Sequence, residues 1–159
     1  MARDERDRAA FWRLRETIPE AQRRDGGSLK HDICVPLAAV PEFIERGSRW
    51  IAEHVPEGRL IAYGHLGDGN LHFNLNQAPG AQLAAFLARE EPLKRAMHEL
   101  VRDLGGSFSA EHGIGRLKVA ELERYAPPVE LDLMRAIKRT LDPNGILNPG
   151  KVLRADGAA

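Results

Sequence analysis

Tyr63-Gly64-His65-Leu66-Gly67-Asp68-Gly69-Asn70-Leu71-His72-Phe73-Asn74 reads as a β-hairpin that brings two histidines together. Asp68-Gly69 suits a type I′ turn, whose two central residues both need positive φ. With those two residues as the turn, Gly67 pairs with Asn70, Leu66 with Leu71 and His65 with His72. Directly opposed side chains stand about 4.5–5.5 Å apart at Cβ. That is close enough for two imidazoles to share one metal at about 2.0–2.1 Å. The plainer alternative is a hairpin that carries two surface histidines. Turn chemistry and register agree independently, and this favours the site.

Working outward, Leu71, Phe73 and Leu75 form an apolar face of the second arm, and His72, Asn74 and Asn76 the opposite, polar one. Upstream, residues 28–35 alternate, with Leu29, His31 and Ile33 on one side and Lys30, Asp32 and Cys34 on the other, the signature of a half-buried strand. Between this strand and the hairpin, Pro41 marks the first turn of a helix with Val40, Phe43, Ile44, Ile51 and Val55 as its apolar stripe. The first helix covers residues 8–23, with Phe11, Leu14, Ile18 and Ala21 on one stripe, and Pro19 should end or kink it near Ile18. Downstream, a short helix spans 81–89. Another starts at Pro92 and carries Leu93, Met97, Leu100, Val101 and Leu104. Residues 107–111 then form a fourth strand, with Phe108 and Ala110 inward. Helical segments follow at 119–125 and 128–141, then a turn-rich stretch over 142–151.

The middle of the chain therefore runs β-α-β-β-α-β. This predicts an α+β fold with a ferredoxin-like antiparallel sheet and additional helices at both ends. Helices should cover the face of Leu71, Phe73, Leu75, Phe108 and Ala110. Lys30, His65, His72, Asn74 and Glu111 should share the face that no helix covers.

The chain of 159 residues suits a single domain, and 43% hydrophobic residues suffice for a core. Lys plus Arg and Asp plus Glu both number 23, which argues against an electrostatic binder of nucleic acid. The one cysteine suits a reducing compartment. No apolar run approaches the ~20 residues of a membrane span, and the charged start lacks a signal-peptide core. The expected location is cytoplasmic.

His65 and His72 need a third ligand, and Glu111 in Ser109-Ala110-Glu111-His112-Gly113-Ile114-Gly115 is the best candidate. Two imidazoles and a carboxylate with open positions make a Lewis-acid site. Asp68 is an alternative ligand, although a turn-tip residue points away from the pair. In the simplest strand order Glu111 lies two strands from His72, about 9–10 Å at 4.7–4.9 Å per step. It therefore bends in past its strand end, or the order differs. His112 can act as general base near neutral pH, or it is a structural histidine held by backbone bonds. Lys30 can meet a substrate carboxylate, and Arg15 can bind one in bidentate fashion.

These residues resemble a known family. Gly64-His65-Leu66-Gly67-Asp68-Gly69-Asn70-Leu71-His72, then Ser109-Ala110-Glu111-His112-Gly113-Ile114-Gly115, then Leu141-Asp142-Pro143-Asn144-Gly145-Ile146-Leu147-Asn148-Pro149-Gly150-Lys151 look like the C-terminal domain of FAD-linked oxidases. The similar enzymes are D-lactate, D-2-hydroxyglutarate and glycolate dehydrogenases (glycolate oxidase) of the vanillyl-alcohol oxidase superfamily. The resemblance implies that His65, His72 and Glu111 bind a divalent metal, Zn or Mn, and that His112 is the catalytic base. It implies that Arg15, Lys30 and Asn74 contact the substrate. Pro19 stands where some relatives carry a substrate-contacting threonine. The implied reaction oxidises a 2-hydroxy acid to a 2-oxo acid, with hydride transfer to FAD.

The family carries a large N-terminal FAD-binding domain, which is absent from these 159 residues. The whole chain thus reads as a single FAD-linked oxidase C-terminal domain, inactive alone. FAD is expected on a separate or missing domain, which would be its partner. The open polar sheet face also leaves room for pairing of two copies. The competing reading is a non-catalytic metal-binding or protein-interaction module, a truncated remnant.

Overall fold

A computed structural model describes residues 1–155. The chain forms two compact units, the first comprising Met1–Phe108 and the second beginning at Ser109. In the first unit, helix α1 (Glu5–Arg24) is followed by β1 (Ser28–Leu29), β2 (Asp32–Cys34), a 3-10 turn (Leu37–Ala39) and α2 (Val40–His54). The hairpin strands β3 (Arg59–His65) and β4 (Asn70–Asn76) come next, then α3 (Leu83–Leu87) and α4 (Glu90–Asp103). The fold is α+β, with an antiparallel sheet in which β4 is central. Its one edge pairs with β3, its other with β1 and β2.

The alternation expected of β4 holds. Leu71, Phe73 and Leu75 are buried with Phe43 and Ile51 of α2 and Leu93, Met97 and Val101 of α4. The Phe43 and Phe73 rings meet edge to face at 5.1 Å, a favoured arrangement of ring quadrupoles. Gly47 lets α2 approach this pair, because a Cβ there would stand 3.0 Å from Phe73 Cζ.

β1 and β2 are one strand interrupted at Lys30-His31. Both halves keep the same register against β4. In the gap the His31 N–H donates to Asn74 Oδ1 (3.2 Å), and His31 Nδ1 donates to the Phe73 carbonyl (2.9 Å). The Phe73 N–H still donates to the His31 carbonyl (3.0 Å), and the Asn74 and His31 side chains satisfy the two backbone groups left over, so the buried backbone stays paired.

The hairpin register differs from the two-residue turn. His65 pairs with Asn70, Gly64 with Leu71 and Tyr63 with His72, leaving Leu66 to Gly69 as the loop. Gly69 takes φ +71°, but Asp68 does not take the positive φ that a type I′ turn needs. Instead the Asp68 carboxylate accepts the Asn70 N–H (3.0 Å), an Asx turn. Gly69 also lies against Val35: its carbonyl accepts the Val35 N–H (3.2 Å), and a Cβ would fall 2.0 Å from the Val35 oxygen. The register shift is an even number of residues, so the facing of every side chain survives.

Four further expectations are corrected. Pro19 neither ends nor sharply divides α1, which runs unbroken to Arg24. An interior proline removes one helical bond, but Arg15 and Gln22, on either side of it, both hold the helix to the sheet. The polar sheet face is not uncovered, because α1 lies on it. Gln22 Oε1 accepts from Asn74 Nδ2 (3.1 Å) and Tyr63 OH (3.4 Å), and Gln22 O accepts from Asn76 Nδ2 (3.4 Å). Of the expected α1 stripe only Ile18 turns inward: Phe11 and Leu14 are 54% and 69% exposed, Ala21 is exposed, and Gln22 is buried. Finally, the strand expected over 107–111 is reduced to one bridge, Cys34 to Ser107. Past it, the Ser109 hydroxyl donates to the Gly113 carbonyl (2.7 Å), and Gly113 takes φ +67°, closing a local turn in place of a ladder.

The second unit holds α5 (Val119–Tyr125) and α6 (Pro128–Leu141). Asp142 organises the segment after α6. Its carboxylate pairs with Lys138 and accepts the N–H groups of Ile146 (3.0 Å) and Leu147 (2.9 Å). The Lys138 bond holds this carboxyl below its ordinary value of 3.8, with the two N–H donors assisting and desolvation opposing. A depressed pKa contributes stability above the unfolded value and loses it as pH falls through the folded one. The Asp142–Leu147 turn is therefore expected to hold at neutral pH and to open only below about pH 4. Amide NMR shifts of Ile146 and Leu147 during acid titration check this, and Asp142→Asn should open the turn at all pH values.

Candidate functional site

The observed register writes the polar face as rows across the sheet. Tyr63, His72 and Asp32 form one row, with His72 in the centre, and His65, Asn70 and Cys34 the next. His65 and His72 are therefore diagonal neighbours. Their ring centroids are 6.1 Å apart and their planes nearly perpendicular at 85°. One ring nitrogen of each lies within 4.8 Å of the other's. His65 is exposed and His72 half-buried.

Arg15 reaches this pair from α1. Its Nη2 donates to His65 Nε2 (3.2 Å), and its guanidinium carbon lies 4.7 Å from the Tyr63 ring centroid. Guanidinium is always a donor, so the Nε2 lone pair of His65 points at a positive group. The donor set fits a divalent metal: two imidazole nitrogens, one with its lone pair turned towards a cation, need only side-chain rotation to meet at one ion. A metal ion taking that lone pair would have to displace Arg15 from it.

The structure brings Arg15, His65 and His72 together. Asn74 lies one row further along and is 3% exposed, with its carbonyl taking the His31 N–H and its NH₂ donating to Gln22. Lys30 is exposed in the gap between β1 and β2. Glu111 and His112 are carried by the second unit, exposed on its first loop, which Lys118 Nζ braces through Ser109 Oγ (3.0 Å). Sequence reasoning missed two residues here. Gln22 is seven residues after Arg15, hence on the same helical face. Asp32 was assigned to the polar side by alternation but not linked to His72, because that link depends on the register.

The family described as "FAD linked oxidases, C-terminal domain" matches residues 1–152. A D-2-hydroxyglutarate dehydrogenase of Stutzerimonas stutzeri is 36% identical over 98% of this chain, and this covers 33% of that protein. The mitochondrial D-2-hydroxyglutarate dehydrogenase of Rattus norvegicus is 40% identical over 98% of the chain, covering 28% of it. A D-lactate dehydrogenase of Archaeoglobus fulgidus is 39% identical over 96% of the chain, covering 32% of it. The chain thus spans about a third or less of the length of the curated relatives it matches. Among the described residues, no helix is long and apolar enough to cross a membrane.

Proposed function

The chain belongs to the family of FAD-linked oxidase C-terminal domains, and from that membership we propose that it is the substrate- and metal-binding part of a flavin-dependent D-2-hydroxy-acid dehydrogenase. The observation that carries this reading is the His65–His72 pair on one sheet face with Arg15 beside it. His65, His72 and Glu111 are the proposed ligands of Zn or Mn. A cation held there would supply Lewis acidity to the substrate's 2-hydroxyl, and FAD on its own domain would supply the hydride acceptor.

This chain's residues do the remainder. Arg15 grips the substrate carboxylate through paired N–H groups, as a planar guanidinium does best. Lys30 adds a second positive charge, and together they orient the 2-carbon. His112 accepts the hydroxyl proton on a ring nitrogen. Asn74, locked by His31 and Gln22, has one amide hydrogen left for the substrate. The lone cysteine, Cys34, suits a reducing compartment, and a cytoplasmic location is part of the proposal.

The test is calorimetric titration of the chain, with and without bound zinc or manganese, against D-2-hydroxyglutarate and D-lactate and their L forms. The D acids should bind the metal-loaded chain preferentially. Arg15→Met should weaken them about 10–100-fold, the worth of a charge-assisted hydrogen bond. Metal binding with no hydroxy-acid binding would favour a non-catalytic metal module instead.

A further inference from the structure

We propose that Asp32 is a positioning residue for His72: its buried carboxylate holds Nδ1 of that imidazole, so that Nε2 faces the side of the sheet where His65 stands. The register carries the argument. Asp32 of β2 is the direct cross-strand partner of His72, and Tyr63 of β3 is its partner on the other edge. Such partners share a face, so His72 is flanked on both sides within one row.

The distances agree with this. Asp32 Oδ1 lies 3.9 Å from His72 Nδ1, and the two side chains are only 5% and 15% exposed. The Tyr63 ring is 4.9 Å from the His72 ring, tilted by 43°. An imidazole wedged between a carboxylate and an aromatic ring has few rotamers left. A carboxylate this deeply buried also needs donors around it, and the His72 N–H is one that the sheet delivers in register. A small rotation of the ring closes the remaining gap to a hydrogen bond.

The consequence follows from ordinary imidazole chemistry. A histidine that gives one ring N–H to a carboxylate keeps its other nitrogen unprotonated and more basic, which suits a ligand. At His65 the tautomer is set differently: its Nε2 accepts from Arg15, which leaves the ring proton on Nδ1. Asp32 and Arg15 therefore set the tautomers of the two histidines from opposite ends of the pair. The effect on metal affinity rests on the metal reading above; the tautomer of His72 does not.

The experiment uses the full chain, wild type and with Asp32→Ala and Asp32→Asn. Nitrogen-15 NMR of the histidine rings in the metal-free protein reports the tautomer, and competition with a chelator reports zinc affinity. His72 should be the Nδ1–H form in the wild type and shift towards Nε2–H in Asp32→Ala. Zinc affinity should fall about 10–100-fold, the usual effect of losing such a partner. An unchanged His72 tautomer in Asp32→Ala overturns the proposal. If that variant fails to fold, Asp32→Asn, of equal size, decides by the same readout: a weakened Nδ1–H preference supports it, and an unaltered one overturns it. The expected tautomer shift in Asp32→Ala, together with a wild-type chain that binds no zinc, keeps Asp32's role and removes the metal reading instead.

Discussion

His65→Ala should lower zinc affinity by more than ~100-fold, beyond what loss of a supporting group costs, and leave folding stability within about 0.5 kcal/mol. The separation of the two effects is the point. His65 is exposed at the last position of β3, beside the loop, where it accepts a hydrogen bond from Arg15 and meets the His72 ring edge to face. Its ring packs into no core, so the fold has little to lose. As a proposed ligand it is half of the imidazole pair, so the proposed metal site has much to lose. His72→Ala should match it in zinc affinity. It should also cost some stability, because His72 is half-buried against Tyr63 and Asp32. Chelator competition gives the affinities, and urea unfolding of the metal-free protein gives the stabilities. Affinity unchanged in both variants would remove the metal reading.

Phe73→Ala should destabilise the chain by about 3–5 kcal/mol, a large part of the ~5–15 kcal/mol that holds a domain together. Phe73 is 1% exposed in the middle of β4 and meets the Phe43 ring edge to face. Its aromatic edge also fills the space that Gly47 opens in α2, so a cavity there is lined on several sides and cannot collapse without moving a helix. Phe11→Ala is the control. Phe11 is 54% exposed on α1, and its loss should cost no more than about 0.5 kcal/mol. Denaturant unfolding of both variants checks the contrast.

The difference between Phe11 and Phe73 also shows what could be read from sequence. In β4 the period-2 alternation assigned every side chain to its observed face, because one face had to be buried and only one phase achieves that. The stripes of α2 and α4 were legible for the same reason. In α1 the hydrophobic period misled. The helix turns Arg15, Ile18, Pro19 and Gln22 inward and leaves Phe11 and Leu14 out. Gln22 binds three sheet side chains, an arrangement that no hydropathy count weighs.

The site was legible in its residue types and less so in its connections. Arg15, His65 and His72 were each identifiable, and all three meet. Asp-Gly announced a turn but not its length, since the same dipeptide serves an Asx turn within a longer loop. That ambiguity moved His65 from opposite His72 to its diagonal and put Tyr63 beside His72 instead, while the separate β2–β4 register brought Asp32 to its other side. Asp32 could be recognised only once the register was known.

X-ray absorption at the zinc edge of the zinc-loaded chain tests the central claim most directly. The account predicts a four- or five-coordinate ion with two imidazole nitrogens at about 2.0–2.1 Å, one fewer imidazole in His65→Ala, and oxygen from a carboxylate or solvent completing the shell. A spectrum with no imidazole scattering, or one that His65→Ala and His72→Ala leave unchanged, would contradict it.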